Sequence, residues 1–226
     1  MPEVKLISYS KAVETLEGDL NDVQELIAYC AKVSNPSNQI NKDTSAKLIR
    51  YLINHQHWSP LEMVSACLEI ETTRDIAHQM VRHRSFSFQE FSQRYAEPSE
   101  MGEQFVTREC RLQDTKNRQN SVDTEDPYLM ERWEEEQLKV IMQAEKAYNW
   151  AIDNGIAKEQ ARVVLPEGCT KTRLYMNGTI RSWVHYIELR SANGTQKEHM
   201  EVAYACAKII ADIFPLAGDL VQDATL

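Results

Sequence analysis

The sequence feature that most constrains the fold is a long helical pattern that begins at Asp126-Pro127 and ends at Asn154-Gly155. An aspartate at the N-cap followed by proline at the first helical position is a strong helix start, and Asn-Gly is a common stop. Between them, apolar residues recur at helical spacing: Leu129, Trp133, Val140, Ala144, Tyr148 and Ala151. We therefore predict a long scaffold helix.

Shorter patterns on both sides of this helix alternate between strands and helices. Strands are predicted at residues 4–9, 64–70 and 169–176, and helices at residues 20–33, 44–54, 73–84, 157–165, 180–189 and 195–214. The last helix is expected to start with a capping box formed by Thr195 and Glu198. Residues 109–126 match no regular pattern, and we predict a mobile surface excursion there. The pattern as a whole indicates an α/β or α+β fold in which helix dominates.

Composition and charge bound the class of protein. The sequence is 42% hydrophobic and 26% charged, and a chain of 226 residues can fold as a single domain spanning residues 1–226. Its apolar runs are shorter than the roughly eighteen residues needed to cross a bilayer, and residues 1–5 do not resemble a secretion signal. We expect a cytoplasmic protein without a membrane partner. The net charge of −9 also opposes binding to nucleic acid.

Cysteine and histidine spacing gives little support for a metal site. The five cysteines are an odd number, widely scattered, and no two form a Cys-x-x-Cys pair. Buried free thiols are the simpler interpretation. His55-x-His57 lacks further well-placed ligands, and we predict no metal.

The densest polar constellation lies at residues 79–95. On a helix, Gln79, Arg82 and His83 fall at i, i+3 and i+4, so their side chains share one face. If the chain after Arg84 is extended, alternate polar side chains project to one side: Glu90, Ser92 and Arg94. Guanidinium forks and serine hydroxyls are donors that suit phosphate. The segment therefore predicts an anion site built from two elements.

The same residues resemble the signature of the flavin-dependent thymidylate synthases. That signature is matched by Arg82-His83-Arg84, Ser87, Glu90, Ser92 and Arg94-Tyr95. Three further elements resemble the family in the same order: His57-x-Ser59-Pro60-Leu61-Glu62, Ala161-Arg162-x-x-Leu165-Pro166, and Arg181-Ser182 with Leu189-Arg190. The resemblance spans residues 57–190, which is most of the chain.

The resemblance implies roles for individual residues. The residues implied in FAD binding are His57, Ser59, Glu62, Arg82, His83, Arg84, Ser85, Glu90, Thr179, Arg181 and His185. The residues implied in dUMP binding are Gln79, Arg82, Glu90, Ser92, Gln93, Arg94, Arg162 and Arg190. Arg190 is the expected catalytic residue, since a fixed cation beside the uracil ring lowers the cost of negative charge at N3 and O4.

The resemblance also implies the reaction and the assembly. In the family NADPH reduces FAD, methylenetetrahydrofolate supplies the carbon, and dUMP becomes dTMP without a nucleophilic cysteine. The implied subunit is a single-domain α/β (mixed α+β) fold with a mixed sheet flanked by long helices. The resemblance further implies a homotetramer whose active sites are shared, which is physically reasonable because one small chain would struggle to enclose three ligands.

Some positions depart from the family pattern, and two other functions remain open. Gln89 stands where the family often has Asn, Gly194 where many members have His, and Thr179 where Asn is common. One alternative is a flavin-free enzyme that acts on deoxyuridylate or another nucleotide, such as a hydroxymethylating relative. The other is an RNA-binding or regulatory module that uses residues 82–94 as a basic patch, which the acidic net charge opposes.

Overall fold

The computed structural model describes residues 2–16, 20 and 22–220. Its strands are β1 (Glu3–Tyr9), β2 (Ser65–Thr73), β3 (Phe86–Glu90), β4 (Arg111–Gln113), β5 (Ser121–Asp123) and β6 (Lys171–Thr179). Its α-helices are α1 (Val23–Ala31), α2 (Ser45–Asn54), α3 (Arg74–Met80), α4 (Pro127–Asp153), α5 (Lys158–Ala161), α6 (Ile180–Ser191) and α7 (Lys197–Ala211). Residue 21 of the first predicted helix and both ends of the predicted domain range lie outside the described residues.

Four strands form the main sheet in the order β1-β2-β6-β3. The α/β class is therefore confirmed, but each neighbouring pair in this sheet is antiparallel, whereas a mixed sheet was expected. The reason lies in the crossover through α3. This crossover brings β3 back in the same direction as β2, and β6 then lies between the two parallel strands and runs against both.

One face of the sheet forms the core, and the other is polar. Alternation places Leu68 and Ile70 of β2 beside Leu174 and Met176 of β6, all with 0% exposure. Helices α6 and α7 cover this face, and the indole N–H of Trp183 in α6 donates to the Ala66 carbonyl at 3.0 Å. Burying each such apolar side chain contributes about 1.5–3 kcal/mol, so the sheet and these two helices stabilise each other.

The long helix α4 confirms the predicted start at Asp126, whose carboxylate accepts from the backbone N–H groups of Tyr128 and Leu129. The predicted apolar stripe is only half right. Its C-terminal members are buried, whereas three members nearer the start are exposed: Leu129, Trp133 and Val140. Gln137 and Ile141 face inward there instead. The first half of α4 therefore presents apolar side chains on its outer surface.

Residues 109–126 contain regular structure that the sequence did not predict. They contain the antiparallel pair β4–β5, in which Leu112 faces Val122. Arg111 at the start of the hairpin pairs with Glu198 of α7, and Lys197 pairs with Glu109 at 2.8 Å. Long-range ion pairs hold this hairpin, and spacing along the sequence cannot reveal them.

The predicted capping box of the last helix is absent from the described structure, because both of its members bond elsewhere. The Thr195 hydroxyl donates to the Leu189 carbonyl at 3.4 Å, and Gln196 is the N-cap residue of α7. Glu198 is engaged by the guanidiniums of Arg108 and Arg111.

The described helices include none that is long and apolar enough to cross a membrane.

Candidate active site

The predicted anion-binding segment folds as a short helix, a turn and a strand. Helix α3 ends at Met80, four residues before the predicted end, so Arg82 and Arg84 lie in the turn that leads into β3. Both arginines are exposed. Neither guanidinium donates to an acceptor within the described part of the chain. Their forks are therefore open to solvent or to a ligand.

His83, in the same turn, accepts a hydrogen bond from Nε of Arg190 near the end of α6, at 2.9 Å. Because that arginine nitrogen can only donate, Nε2 of His83 must be unprotonated, which places the imidazole proton on Nδ1. Burial, and then the Arg190 and Arg82 guanidiniums, lower the pKa of His83 to about 4. The histidine is therefore neutral at physiological pH and fixes the arginine.

Behind this pair lies a buried network that the sequence did not predict. The ring of His83 meets Tyr186 edge-on, with centroids 5.0 Å apart. His199 has 0% exposure, and its Nε2 and Nδ1 contact the Tyr186 hydroxyl at 3.1 Å and Gln79 Oε1 at 3.2 Å. The only sequence feature that could have indicated this network is the position of His199 on the apolar stripe that Val202 and Cys206 continue.

Gln79 is a predicted dUMP residue, and this network fixes its orientation. Its Nε2 donates to Gln196 Oε1 at 2.8 Å while its Oε1 accepts from Nδ1 of His199. His199 then accepts from the Tyr186 hydroxyl through Nε2, so it is neutral. Burial, and then Arg190 and His83, lower the pKa of His199 to about 3. Gln79, His83 and Arg190 thus belong to one connected group.

A second group surrounds Glu90, at the end of β3. One oxygen of its carboxylate accepts from Arg74 Nη1 at 3.2 Å and from the Thr172 hydroxyl at 2.9 Å. The side chains of Arg74 and Glu90 are only 15% and 21% exposed. Neither Arg74 nor Thr172 belongs to the matched motif, and β-sheet pairing through β6 is what brings Thr172 to this carboxylate.

The chain after Glu90 turns instead of continuing as a strand, which corrects the predicted alternation of Glu90, Ser92 and Arg94. Backbone N–H groups of Tyr95 and residue 96 both donate to the Ser92 carbonyl. Arg94 is exposed and pairs with Glu159 at 3.3 Å. The turn directs Gln93 inward, where it is 3% exposed.

Gln93, Arg162 and Arg74 line a cleft of about 520 Å³ beside this turn. Nε2 of Gln93 is buried and has no hydrogen-bond partner among residues 2–16, 20 and 22–220. The Arg162 guanidinium likewise has no acceptor within these ranges. Since two predicted dUMP residues meet here with unused donors, the cleft suits a ligand that carries only acceptors, such as phosphate.

A third group lies at the start of α6 and contains predicted FAD residues. Thr179 caps the helix by accepting from the Ser182 N–H, and the Ser182 hydroxyl donates to the Ser85 carbonyl at 3.1 Å. Arg181 forms an ion pair with Glu62. The structure therefore joins three matched sequence elements at one point.

His57, Ser59 and His185 lie around the same end of α6. Ser59 opens the 3-10 turn Ser59–Glu62 and is exposed. His185 meets Trp58 edge-on at 4.4 Å between centroids, and burial followed by Arg181 lowers its pKa. His57 is exposed near the Tyr51 ring, with centroids 6.0 Å apart.

The predicted dUMP residues form two groups at opposite ends of β3. The group of His83 and Arg190 adjoins the start of β3 at Phe86, whereas Glu90 and the Arg162 cleft adjoin its end. The four residue steps between Phe86 and Glu90 span about 13 Å in a strand.

In the described residues there is also no group of three or more His, Cys, Asp or Glu side chains placed to hold a metal ion.

Comparison with known proteins identifies close relatives. Residues 15–216 match the family described as thymidylate synthase complementing protein. A probable flavin-dependent thymidylate synthase of Paramecium bursaria Chlorella virus 1 is 52% identical over 211 residues, covering 93% of this chain and 94% of the relative. The flavin-dependent thymidylate synthase of Synechocystis sp. is 46% identical over 220 residues, covering 97% and 99%.

Solved structures share the fold. The UMP/dUMP methylase PolB from Streptomyces cacaoi, bound with 5-Br dUMP, superposes with a TM-score of 0.80 at 24% identity, covering 97% of this chain and 94% of that chain. Fold and sequence together define the chain as an enzyme. It belongs to the flavin-dependent thymidylate synthase family, as the motifs at residues 57–190 implied.

Proposed function

We propose that this chain converts dUMP to dTMP with FAD as cofactor, methylenetetrahydrofolate as carbon donor and NADPH as reductant. The observation that carries the proposal is the Arg190 guanidinium, held through Nε by neutral His83. Its two Nη groups donate to no acceptor in the described ranges. They are the donors that a uracil ring would meet.

Arg190 acts on the activation of C5 of uracil, which has to become nucleophilic towards the one-carbon unit. Negative charge then builds on the N3 and O4 side of the ring, and a fixed cation stabilises it without reorganising. Neutral His83 is suited to hold this cation because it accepts a hydrogen bond without adding positive charge. A positioned donor of this kind contributes about 2.7–4 kcal/mol of transition-state stabilisation.

The nucleotide phosphate is held at the other end of β3. Arg162, Gln93 and the turn that carries Ser92 and Arg94 supply donors there, and Gln93 already has a buried N–H group without a partner among the described residues. Glu90 supplies a fixed acceptor beside them. The relatives' name, thymidylate synthase, supports dUMP as the nucleotide.

The cofactor is FAD, and the residues present fit it. Arg82 and Arg84 expose guanidinium forks that suit its pyrophosphate, while the group at the start of α6 offers hydroxyl, guanidinium and carboxylate contacts: Ser59, Glu62, Ser85, Thr179 and Arg181. His57 and His185 lie beside this group. When bound, the flavin supplies the redox chemistry of the reaction.

Catalysis proceeds without a protein thiolate. None of the five cysteines, Cys110 included, lies in a matched sequence element. Burial raises the pKa of Cys30, Cys67, Cys169 and Cys206, so each of these thiols stays protonated at neutral pH. A protonated thiol is a poor nucleophile. Arg190 and the cofactor therefore replace the cysteine chemistry of the thiol-dependent enzymes.

The working unit is a homotetramer. Each subunit carries two separate nucleotide-binding groups, one at each end of β3. Each group would complete a site only together with the complementary group of another subunit. The outer surface of α4 also exposes large apolar side chains, which include Met142 at 63% and Trp150 at 61%. Such a surface is typical of a subunit contact.

The visible spectrum of the purified protein tests the proposal. We expect retained flavin bands after FAD is added and the excess removed, and a shift of those bands when dUMP is bound. A protein that retains no flavin, with or without dUMP, would instead be a flavin-free nucleotide enzyme.

A further inference from the structure

Arg74 lies outside every sequence element that implied a function, yet it occupies the proposed phosphate cleft. It is the first residue of α3, and its backbone N–H donates to the Thr170 carbonyl at 3.0 Å, which ties the start of α3 to the residue that precedes β6. Its side chain is 15% exposed and lines the cleft with Gln93 and Arg162. The backbone contact to Thr170 and the side-chain contact to Glu90 therefore both fix the position of Arg74.

The guanidinium of Arg74 is only partly used by the protein. Nη1 contacts Glu90 at 3.2 Å, and the remaining donors have no acceptor within residues 2–16, 20 and 22–220. The two carboxylates that line the cleft lie against other side chains, Glu159 at 3.3 Å from Arg94 and Glu167 at 3.3 Å from His78. The cleft therefore holds more donors than available acceptors.

We propose that Arg74 is a further substrate-binding residue, which holds Glu90 with one nitrogen and donates to the dUMP phosphate with the others. Guanidinium is suited to this double task because its planar fork carries five N–H donors and stays charged at every relevant pH. The inference rests on the proposed function, since it takes dUMP as the substrate. It adds a second partly buried arginine to the phosphate site beside Arg162.

The test compares dUMP affinity in the full-length protein and two matched variants. R74Q removes the charge and most of the donors, whereas T172V removes the other contact to Glu90 and leaves the cleft arginines in place. If Arg74 contacts the phosphate, R74Q should lose at least ten times more dUMP affinity than T172V, because hydrogen bonds to the phosphate are lost only in R74Q. Losses within tenfold of each other would overturn the proposal, because Arg74 would then act only through Glu90.

Deoxyuridine gives a second readout in competition with dUMP. Since deoxyuridine has no phosphate, we expect R74Q to weaken its binding by about the same factor as T172V does. A larger loss of deoxyuridine affinity in R74Q would contradict a phosphate contact.

If R74Q does not fold, R74K replaces it. A lysine cannot bind Glu90 and the phosphate together, so wild-type dUMP affinity in R74K would also overturn the proposal. Failure of the wild-type protein to bind dUMP would refute the proposed function itself.

Discussion

His83 and His199 stay neutral mainly because burial disfavours the charged imidazole, and the Arg190 guanidinium adds to that effect. Each histidine then uses one nitrogen as an acceptor, His83 towards Arg190 and His199 towards the Tyr186 hydroxyl. This arrangement lets one arginine be fixed within a partly buried site without a carboxylate that would neutralise it. The free positive charge is what the proposed chemistry requires.

Replacing Arg190 should remove catalysis while leaving the cofactor in place. We expect R190A to lose dTMP formation by about a hundredfold or more, since a fixed donor to the developing charge is removed. R190K keeps a charge but loses the planar fork, so its rate should lie between the two. The assay is dTMP formation, with retained flavin absorbance as the control. Near-normal turnover in R190A would refute the catalytic assignment.

The buried neutral state of His199 makes stability depend on pH. Its pKa is about 3 in the folded protein, below the ordinary value of 6.5, so the unfolded state binds the proton first as pH falls. Stability is therefore lost between pH 6.5 and pH 3, and the share lost by pH 5 is about 2 kcal/mol.

Chemical denaturation at pH 7 and pH 5 measures this loss. H199Q keeps polar contacts but cannot take up a proton, so its stability should fall less over the same interval. Equal losses in the wild-type protein and in H199Q would contradict the assignment, because carboxylates titrate in both proteins.

At the scale of elements, the close approach of β3 and β6 depends on a glycine. Gly178 faces Phe86, and a Cβ at position 178 would lie 2.4 Å from the Phe86 ring. Phe86 in turn packs edge-on against Trp183 at 4.8 Å between centroids, so it cannot move freely. Because position 178 has no side chain, β3 can lie close to β6 and hold the turn that contains Arg82 and His83 next to α6.

Substitution of this glycine should destabilise the protein. We expect G178A to lower the free energy of unfolding by about 1–3 kcal/mol through overpacking. Gly168 is the matched control, because a Cβ there meets nothing within 4 Å. G168A should stay within about 0.5 kcal/mol of wild type. Urea denaturation compares the two, and equal effects would contradict the packing argument.

The hairpin β4–β5 depends on one carboxylate of α7. Glu198 is 18% exposed and pairs with both Arg108 and Arg111, so E198A leaves two partly buried cations without it. We expect a loss of about 3 kcal/mol. E136A removes an exposed carboxylate that pairs with Arg132 and Lys139, and it should cost less than E198A because exposed ion pairs contribute little. Thermal or urea unfolding that ranks the two variants in the opposite order would refute this account.

Elements with strong local signals were predictable, and those held by distant contacts were not. The start of α4 at Asp126 and the strands β1, β2 and β6 follow from capping and alternation within a few residues. The hairpin was missed because ion pairs to α7 order it, and the capping box failed because Glu198 bonds two arginines instead. The end of α3 at Met80 was also missed, since only tertiary packing distinguishes a turn at residues 81–85 from further helix.

The candidate site divides in the same way. Motif residues such as His83, Glu90 and Arg190 were identified by their resemblance to a family, and the structure adds their partners. Arg74, Thr172 and His199 could not be found from the sequence, because each lies on an element whose spacing alone indicates core or surface. Their roles come from contacts across 16, 82 and 120 residues of chain.

At the scale of the whole molecule, the proposed homotetramer places the two nucleotide-binding groups of one site on different subunits. We expect light scattering after size exclusion to give a mass about four times the 26.1 kDa of one chain. Two charges introduced on α4 by M142E and W150E together should lower that mass and reduce dTMP formation in parallel. A monomer with full activity would contradict shared sites.

One assay tests most directly the claim that this chain makes dTMP through a flavin. Purified protein is incubated with dUMP, FAD, methylenetetrahydrofolate and NADPH, and dTMP is measured while each component is omitted in turn. We expect dTMP only in the complete mixture, apart from any flavin that remains bound to the protein. Formation of dTMP by flavin-stripped protein without added FAD, or none in the complete mixture, would contradict the claim.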